Sequence, residues 1–113
     1  TQISLAAGER VTHAPATGTI CDALMTDRPG ELTFPINRRL TGVLTVTDAE
    51  VAEAVRYAFR TLKLVVEPGG AVSLAALLTG KISTDGKTTA IVLSGGNVDP
   101  ALFSAIIEDR FEG

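Results

Sequence analysis

The sequence predicts an α/β fold, and the clearest sign is a strand–turn–helix pattern near its carboxyl end. Residues 88–93 form a short apolar, partly β-branched run with no alternation of polar and apolar positions. Such a run is typical of a strand that is buried on both faces of a parallel sheet. It ends at residues 94–97, Ser-Gly-Gly-Asn, where two glycines allow backbone angles that other residues resist. Asp99 and Pro100 then suit the cap and the first position of a helix that runs to about Glu108.

Residues 94–97, called the glycine turn below, are a candidate binding loop. Ligands of open α/β sheets bind at the carboxyl ends of strands, and the turn follows one. Many α/β proteins also turn on two glycines without a ligand, and the Ser94 hydroxyl would then cap its own backbone. The pattern alone leaves both interpretations open.

A second strand–helix pair is predicted from residue 42 onward. Gly42–Val46 indicates a short strand, and Thr47 and Glu50 have the spacing of a capping box at a helix start. Apolar residues then recur at helical spacing, which predicts a helix packed on a sheet. The predicted inward positions are Val51, Ala54, Val55, Ala58, Phe59 and Leu62, with Glu53, Arg56 and Arg60 off that face.

The remaining elements are shorter. Residues 64–66 predict a brief extended run, and residues 71–78, apolar on all sides, predict a buried helix that starts at Pro68 and stops before Gly80. The first 42 residues are rich in turn formers. They predict a short helix over residues 20–26, capped by Thr19, and one helical turn between residues 32 and 40.

Composition bounds the class of protein. The 113 residues suffice for one domain, and we expect a single partial domain over residues 1–113. A net charge of −3 without a Lys/Arg cluster argues against a nucleic-acid partner. Cys21 is the only cysteine, which excludes a disulfide framework and a cysteine-based zinc site, and we expect no metal site. Because no membrane span or signal peptide is evident, we expect a cytoplasmic protein.

Three motifs, taken in order, give a resemblance to a known family. They are residues 19–23 (Thr-Ile-Cys-Asp-Ala), residues 63–71 (Lys-Leu-Val-Val-Glu-Pro-Gly-Gly-Ala) and residues 94–99 (Ser-Gly-Gly-Asn-Val-Asp). At these separations the chain resembles the C-terminal third of the threonine/serine dehydratase and serine racemase family. These are fold-type II enzymes that use pyridoxal phosphate, and the likeness runs from about Ser4 to Ile107. It implies parallel strands and flanking helices from the C-terminal part of the large domain.

The resemblance implies four cofactor-binding positions. Ser94 would lie beside the pyridine nitrogen, where a neutral hydroxyl suits elimination over transamination, and Gly95 would let the backbone approach the ring. Glu67 would lie near the ring or the reacting amine; as an alternative, it is a helix-start carboxylate held by free amides. Ala23, where the family more often has glycine, would contact the bound adduct through its backbone carbonyl.

The resemblance also implies that the chain is a piece of an enzyme. The family's cofactor-linking lysine and Gly-rich phosphate loop precede this region, and Lys63, Lys81 and Lys87 lack the lysine's setting. No catalytic residue is therefore expected here, and the fragment alone is expected not to hold pyridoxal phosphate. Its expected partners are the N-terminal part of the same enzyme, a small amino-acid substrate and further copies in a homo-oligomer.

The implied activity is an ammonia-lyase reaction in amino-acid metabolism, in which L-threonine or L-serine loses water to give a 2-oxo acid and ammonia. A racemase or a hydroxyaspartate ammonia-lyase would share every motif, so the substrate stays open. The alternative function is a free-standing α/β binding or regulatory module. In that case the glycine turn and the following helix start would hold an anion.

Overall fold

The computed structural model describes residues 1–14 and 17–112, and it divides the chain into two compact units, Thr1–Val43 and Leu44–Gly113. The boundary falls inside the predicted strand Gly42–Val46. Each unit has its own buried residues, and each is described by itself. Across the two described ranges, no helix is both long and apolar enough to cross a membrane.

The described residues of the first unit form two short α-helices and one 3₁₀ turn. Helix α1 spans Gln2–Ala7 and ends at Gly8, whose φ of 75° is in the left-handed region. The sequence analysis missed α1 because its six residues carry little periodicity. Helix α2 spans Phe34–Asn37 and confirms the single helical turn predicted in residues 32–40.

The predicted helix over residues 20–26 is wrong in extent, because only Asp22–Leu24 forms a 3₁₀ turn there. The Thr19 hydroxyl does act locally, accepting a hydrogen bond from the Cys21 amide at 3.2 Å. Cys21 itself is buried. Three residues can close a turn around this packed cysteine, but the exposed residues that follow it give a longer helix nothing to pack on.

The second unit packs three helices together. Helix α3 spans Asp48–Tyr57, continues as a π-helical turn over Ala58–Leu62, and contacts both α4, Pro68–Leu78, and α5, Pro100–Ile107. The capping box is confirmed: the Glu50 amide donates to the Thr47 hydroxyl and the Glu50 carboxylate accepts from the Thr47 amide. The helix predicted up to Gly80 is confirmed as α4, and the Asp99 cap is confirmed by a 2.8 Å bond from the Leu102 amide.

The core of this unit follows most of the predicted inward face of α3. Val51, Ala54, Val55 and Ala58 are buried, and Ile106 of α5 is buried among the same helices. Two of the predicted inward residues, Phe59 and Leu62, are exposed instead. Phe59 lies at the edge of the core, where its ring packs edge-on against Phe103 with centroids 5.4 Å apart.

Arg56 corrects the predicted polar face of α3, since it is only 7% exposed. Its Nε donates to the Ile106 carbonyl oxygen at 3.0 Å, and its two terminal nitrogens pair with Glu53 and Asp109. The guanidinium thereby satisfies a carbonyl at the end of α5, where helix carbonyls lack partners within the helix. We call these contacts the arginine pin.

The predicted parallel strands are not confirmed. None of the residues in the two described ranges lies in a strand, so Gly42–Val46, residues 64–66 and residues 88–93 are extended or irregular connections. The central segment is also not buried on both faces, since Val92 is 76% exposed. A strand is defined by backbone bonds to a neighbouring strand, and an apolar run without such a neighbour forms no ladder of these bonds.

Candidate functional site

The glycine turn lies directly on the start of α4. The Glu67 amide donates to the Gly95 carbonyl oxygen at 3.2 Å, which joins the two segments by their backbones. Further along α4, the Ser73 hydroxyl donates to the Val92 carbonyl oxygen at 2.7 Å. Residues 92–95 are thus fastened to α4 at two points, although they form no sheet with it.

The approach of the two segments requires glycine at Gly70. This residue is buried in the first turn of α4, and a Cβ built on it would overlap the Ser94 carbonyl oxygen and lie 2.8 Å from the carbonyl carbon. Both atoms belong to the backbone, so a rotamer change cannot relieve the overlap. The second glycine of the Glu-Pro-Gly-Gly motif is therefore fixed by packing.

The two glycines of the turn are used in different ways. Gly95 has φ near 76°, a left-handed conformation that L side chains rarely adopt, and its Cβ direction faces the Glu67 carboxylate at 2.5 Å from Oε1. Gly96 is not in that left-handed region, but a Cβ there would lie 2.9 Å from the Val65 carbonyl oxygen. Both bare α-carbons thus face the segment before α4.

Glu67 holds the turn with its side chain as well as its backbone. Its Oε2 accepts a hydrogen bond from the Asn97 amide at 3.1 Å. Although Glu67 occupies the cap position of α4, it makes no side-chain cap bond to that helix. The alternative, a carboxylate held by the free amides of the α4 start, is not what the structure shows, because the amide that Glu67 accepts from belongs to the glycine turn.

Ser94 presents its hydroxyl at the surface. The residue is exposed, and within the described residues its hydroxyl makes no hydrogen bond. A serine that caps its own turn would bond a nearby amide or carbonyl. The hydroxyl is therefore a free donor and acceptor at the end of a backbone that is firmly held.

The structure brings three of the four sequence-predicted site residues together: Ser94, Gly95 and Glu67. Ala23 lies in the first unit, in the 3₁₀ turn, where its amide donates to the Asp22 carboxylate at 2.7 Å. Sequence reasoning gave no role to Gly70 or to the Asn97 amide. The only signal for either was the glycine pair that follows Glu67-Pro68.

The described residues offer no cluster of three or more His, Cys, Asp or Glu side chains that could hold a metal ion. Two open cavities, of about 320 Å³ and about 300 Å³, lie elsewhere, one in each unit. The first is lined by residues of α1 and the segment after α2, and the second surrounds the arginine pin. The glycine turn contributes to neither of them, so the candidate site is an exposed ledge within the residues described.

The chain is similar in sequence to enzymes that act on amino acids. L-threo-3-hydroxyaspartate ammonia-lyase from Pseudomonas sp is 37% identical over 99 residues, which are 87% of this chain and 31% of that protein. Serine racemase from Dictyostelium discoideum is 40% identical over 108 residues, 92% of this chain and 33% of that protein. The chain thus spans about a third of the length of these relatives.

The fold agrees with these sequence relatives. The crystal structure of a T.th. threonine deaminase superposes with a TM-score of 0.76 and 43% identity, over 87% of this chain and 33% of the other. The family model described as pyridoxal-phosphate dependent enzyme matches residues 2–95, which include Ala23, Glu67, Ser94 and Gly95. The chain therefore belongs to the family of pyridoxal-phosphate dependent enzymes.

Proposed function

We propose that this chain is the C-terminal part of the catalytic domain of an ammonia-lyase that removes water from a small hydroxy-amino acid, giving a 2-oxo acid and ammonia. The observation that carries the proposal is the shared substrate chemistry of its relatives. Their names specify hydroxyaspartate, serine and threonine, which are all amino acids with a hydroxyl on the β-carbon. Elimination of that hydroxyl is the reaction we assign, with threonine, serine and hydroxyaspartate as the candidate substrates.

Pyridoxal phosphate is the cofactor of the intact enzyme, consistent with family membership. When bound, it supplies an electron sink for negative charge at the substrate α-carbon. The residues present fit one edge of it, because the exposed Ser94 hydroxyl is free to meet the pyridine nitrogen. A neutral hydroxyl binds that nitrogen without fixing a full positive charge on it, which favours elimination over transamination.

Two further contacts are proposed, at Gly95 and Ala23. Gly95 lets the turn adopt the conformation that carries Ser94, and it exposes backbone on the side away from Glu67. The Ala23 carbonyl is proposed to contact the bound substrate, as the family motif implies. Its methyl group is exposed, and the backbone carbonyl does not depend on the side chain.

The proposal assigns the cofactor-linking lysine to the other two-thirds of the enzyme. In this chain Lys63 donates to the Arg60 carbonyl oxygen at 2.8 Å, and Lys81 pairs with Glu50 at 2.7 Å. Both amines are engaged in local contacts, which disfavours a role as a free nucleophile. We further propose that residues 88–93 pair with strands of that other part, and that the assembled enzyme is a homo-oligomer.

The test is the full-length protein with three substrates in parallel: L-threonine, L-serine and threo-3-hydroxyaspartate. We expect 2-oxo acid and ammonia from at least one of them, only when pyridoxal phosphate is present. Chiral analysis of recovered serine distinguishes a racemase. Failure with all three substrates, together with no cofactor binding, would favour a non-catalytic binding module.

A second arm locates the lysine. Borohydride reduction followed by peptide mass spectrometry should find the cofactor adduct outside residues 1–113. The matched control is the 113-residue chain alone, which should carry no adduct. A stoichiometric adduct at Lys63, Lys81 or Lys87 would contradict the assignment.

A further inference from the structure

Glu67 bonds the glycine turn through one carboxylate oxygen and through its backbone amide. Oε2 accepts from the Asn97 amide at 3.1 Å, and Oε1 lies 2.5 Å from the position of a Cβ built on Gly95. The Glu67 amide also donates to the Gly95 carbonyl oxygen at 3.2 Å. One residue therefore holds the turn at two points, on either side of Gly96.

We infer that Glu67 is a positioning residue, which fixes the conformation of the glycine turn and thereby the direction of the Ser94 hydroxyl. The inference deepens the proposed function and rests on it, since the direction matters only if Ser94 meets the cofactor ring. Glu67 acts through the Gly95 and Asn97 backbone and needs no contact with cofactor or substrate.

The physical reason lies in the conformation of Gly95. A glycine with positive φ has two broad backbone regions available, so it does not by itself hold the turn in one state. The Ser94 side of the turn is fixed by packing of its carbonyl on Gly70, and the Gly95–Asn97 side is held by the bonds to Glu67. A hydrogen bond from the Asn97 amide to an ionised carboxylate is stronger than one to a neutral acceptor. This bond holds the turn at Asn97, its last residue.

A role through the backbone differs from a direct electrostatic role in one respect. Glutamine keeps an oxygen that accepts from the Asn97 amide but carries no charge, whereas alanine removes the acceptor altogether. Positioning therefore predicts that Glu67→Gln retains most of what Glu67→Ala loses. If the carboxylate acted by its charge on the ring, both variants would lose the same amount of cofactor affinity.

The test uses the full-length protein in four forms: wild type, Glu67→Ala, Glu67→Gln and the control Asp85→Ala, an exposed loop carboxylate that accepts no side-chain bond within the described residues. Amide hydrogen exchange of the cofactor-free protein is followed in peptides that cover residues 94–99. Glu67→Ala should speed this exchange roughly 10- to 100-fold, the range expected for a hydrogen bond to a charged group. The Tm should stay within about 2 °C of wild type, because the lost contact is exposed and contributes little to unfolding.

The same four forms are then titrated with pyridoxal phosphate by absorbance. We expect Glu67→Ala to weaken cofactor binding roughly tenfold, as the loss of one well-placed hydrogen bond would, with Glu67→Gln recovering most of that loss and Asp85→Ala matching wild type. Unchanged exchange in Glu67→Ala would overturn the positioning role and leave the proposed function intact. Equal cofactor loss in Glu67→Gln and Glu67→Ala, with exchange protected in Glu67→Gln, would overturn it in favour of a charge effect. A wild-type protein that binds no cofactor would overturn the proposed function itself, whatever the exchange shows.

Discussion

The arginine pin and the glycine turn lie in the same unit and hold α-helices and loops by similar polar bonds, but they differ in what they leave open. At the pin, Arg56 is buried and all three guanidinium nitrogens have partners. At the turn, the backbone is bonded and packed while the Ser94 hydroxyl stays exposed. Every guanidinium nitrogen of the pin is bonded within the fold, whereas the turn leaves one group open to a ligand.

This difference predicts which substitutions change the free energy of unfolding and which change only ligand binding. Substitutions at the pin remove buried contacts between α3 and α5, so they should change the free energy of unfolding. Substitutions at the turn surface remove exposed contacts that contribute little to unfolding but set the position of a binding group. Gly70, which is buried in α4 and packs on the turn, should affect both the free energy of unfolding and the position of the binding group.

Gly70→Ala should have the largest effect. The added methyl group would overlap the Ser94 carbonyl, and a backbone shift to relieve the overlap would strain the neighbouring bond from the Glu67 amide to Gly95. Overpacking usually costs about 1–3 kcal/mol, and we expect at least the upper end because both clashing groups are backbone. Urea unfolding measures the cost, with Gly42→Ala as the control, since a Cβ at Gly42 meets open space. Equal stability of the two variants would mean that the turn is not packed on α4.

Arg56→Ala should be the next most harmful. It removes the buried bond from Nε to the Ile106 carbonyl oxygen, which then keeps a longer bond from the Asp109 amide at 3.3 Å. A hydrogen bond from a charged donor contributes about 1.5–3 kcal/mol. The carboxylates of Glu53 and Asp109 are largely exposed and can be hydrated, so they add little to the loss. Arg60→Ala is the matched control, because Arg60 makes a single exposed bond to the Ile107 carbonyl at 2.6 Å. Unfolding free energies that show a larger loss for Arg60→Ala than for Arg56→Ala would refute the comparison.

Ser94→Ala should separate the two regions most clearly, because it should change binding and leave stability unchanged. The hydroxyl makes no bond within the described residues, so the Tm of the full-length enzyme should match that of the control Ser83→Ala. Loss of one hydrogen bond to the cofactor ring, about 0.5–1.5 kcal/mol, should weaken cofactor affinity by up to about tenfold.

Ser94→Asp extends the same test. A carboxylate would hold a proton on the ring nitrogen, shift the cofactor's absorption and raise transamination relative to elimination. If Ser94 were only a turn residue, alanine would lower the Tm and aspartate would behave like the parent in both absorption and product ratio.

The sequence was informative wherever structure is set by residues close together in the chain. The capping box of Thr47 and Glu50, the Asp99 cap and the glycine after α4 were all readable because each bond spans only a few residues. The strands were not, since a strand exists only with a neighbour and none is present in the described residues. Periodicity also placed Arg56 on the polar face, although its bond to Ile106, fifty residues away, buries it.

The candidate site divides in the same way. The resemblance to a known family singled out Ser94, Gly95 and Glu67, and the fold brings these three together. The bond from the Asn97 amide to Glu67 links residues thirty positions apart, and no local pattern predicts it. Gly70 was visible only as one glycine of a pair, because its reason for being glycine is the carbonyl of Ser94 on another segment.

The smallest expected effect is a pH dependence of stability at the start of α3, where the contact is an exposed ion pair. The Lys81 ammonium, bonded to the Glu50 carboxylate at 2.7 Å, lowers the pKa of that carboxyl, and the Thr47 amide lowers it further. A carboxyl whose pKa is lower in the folded state stabilises the fold above its unfolded pKa. That contribution is lost as the pH falls through the folded pKa, so acid should loosen the capping box.

Because the pair is exposed, the change in stability should be slight, and the pKa of Glu50 is the better readout. Carboxyl-detected NMR titration should find the pKa of Glu50 raised toward its ordinary value in Lys81→Met and unchanged in the control Lys87→Met. An unchanged Glu50 pKa in Lys81→Met would show that the ion pair does not persist in solution.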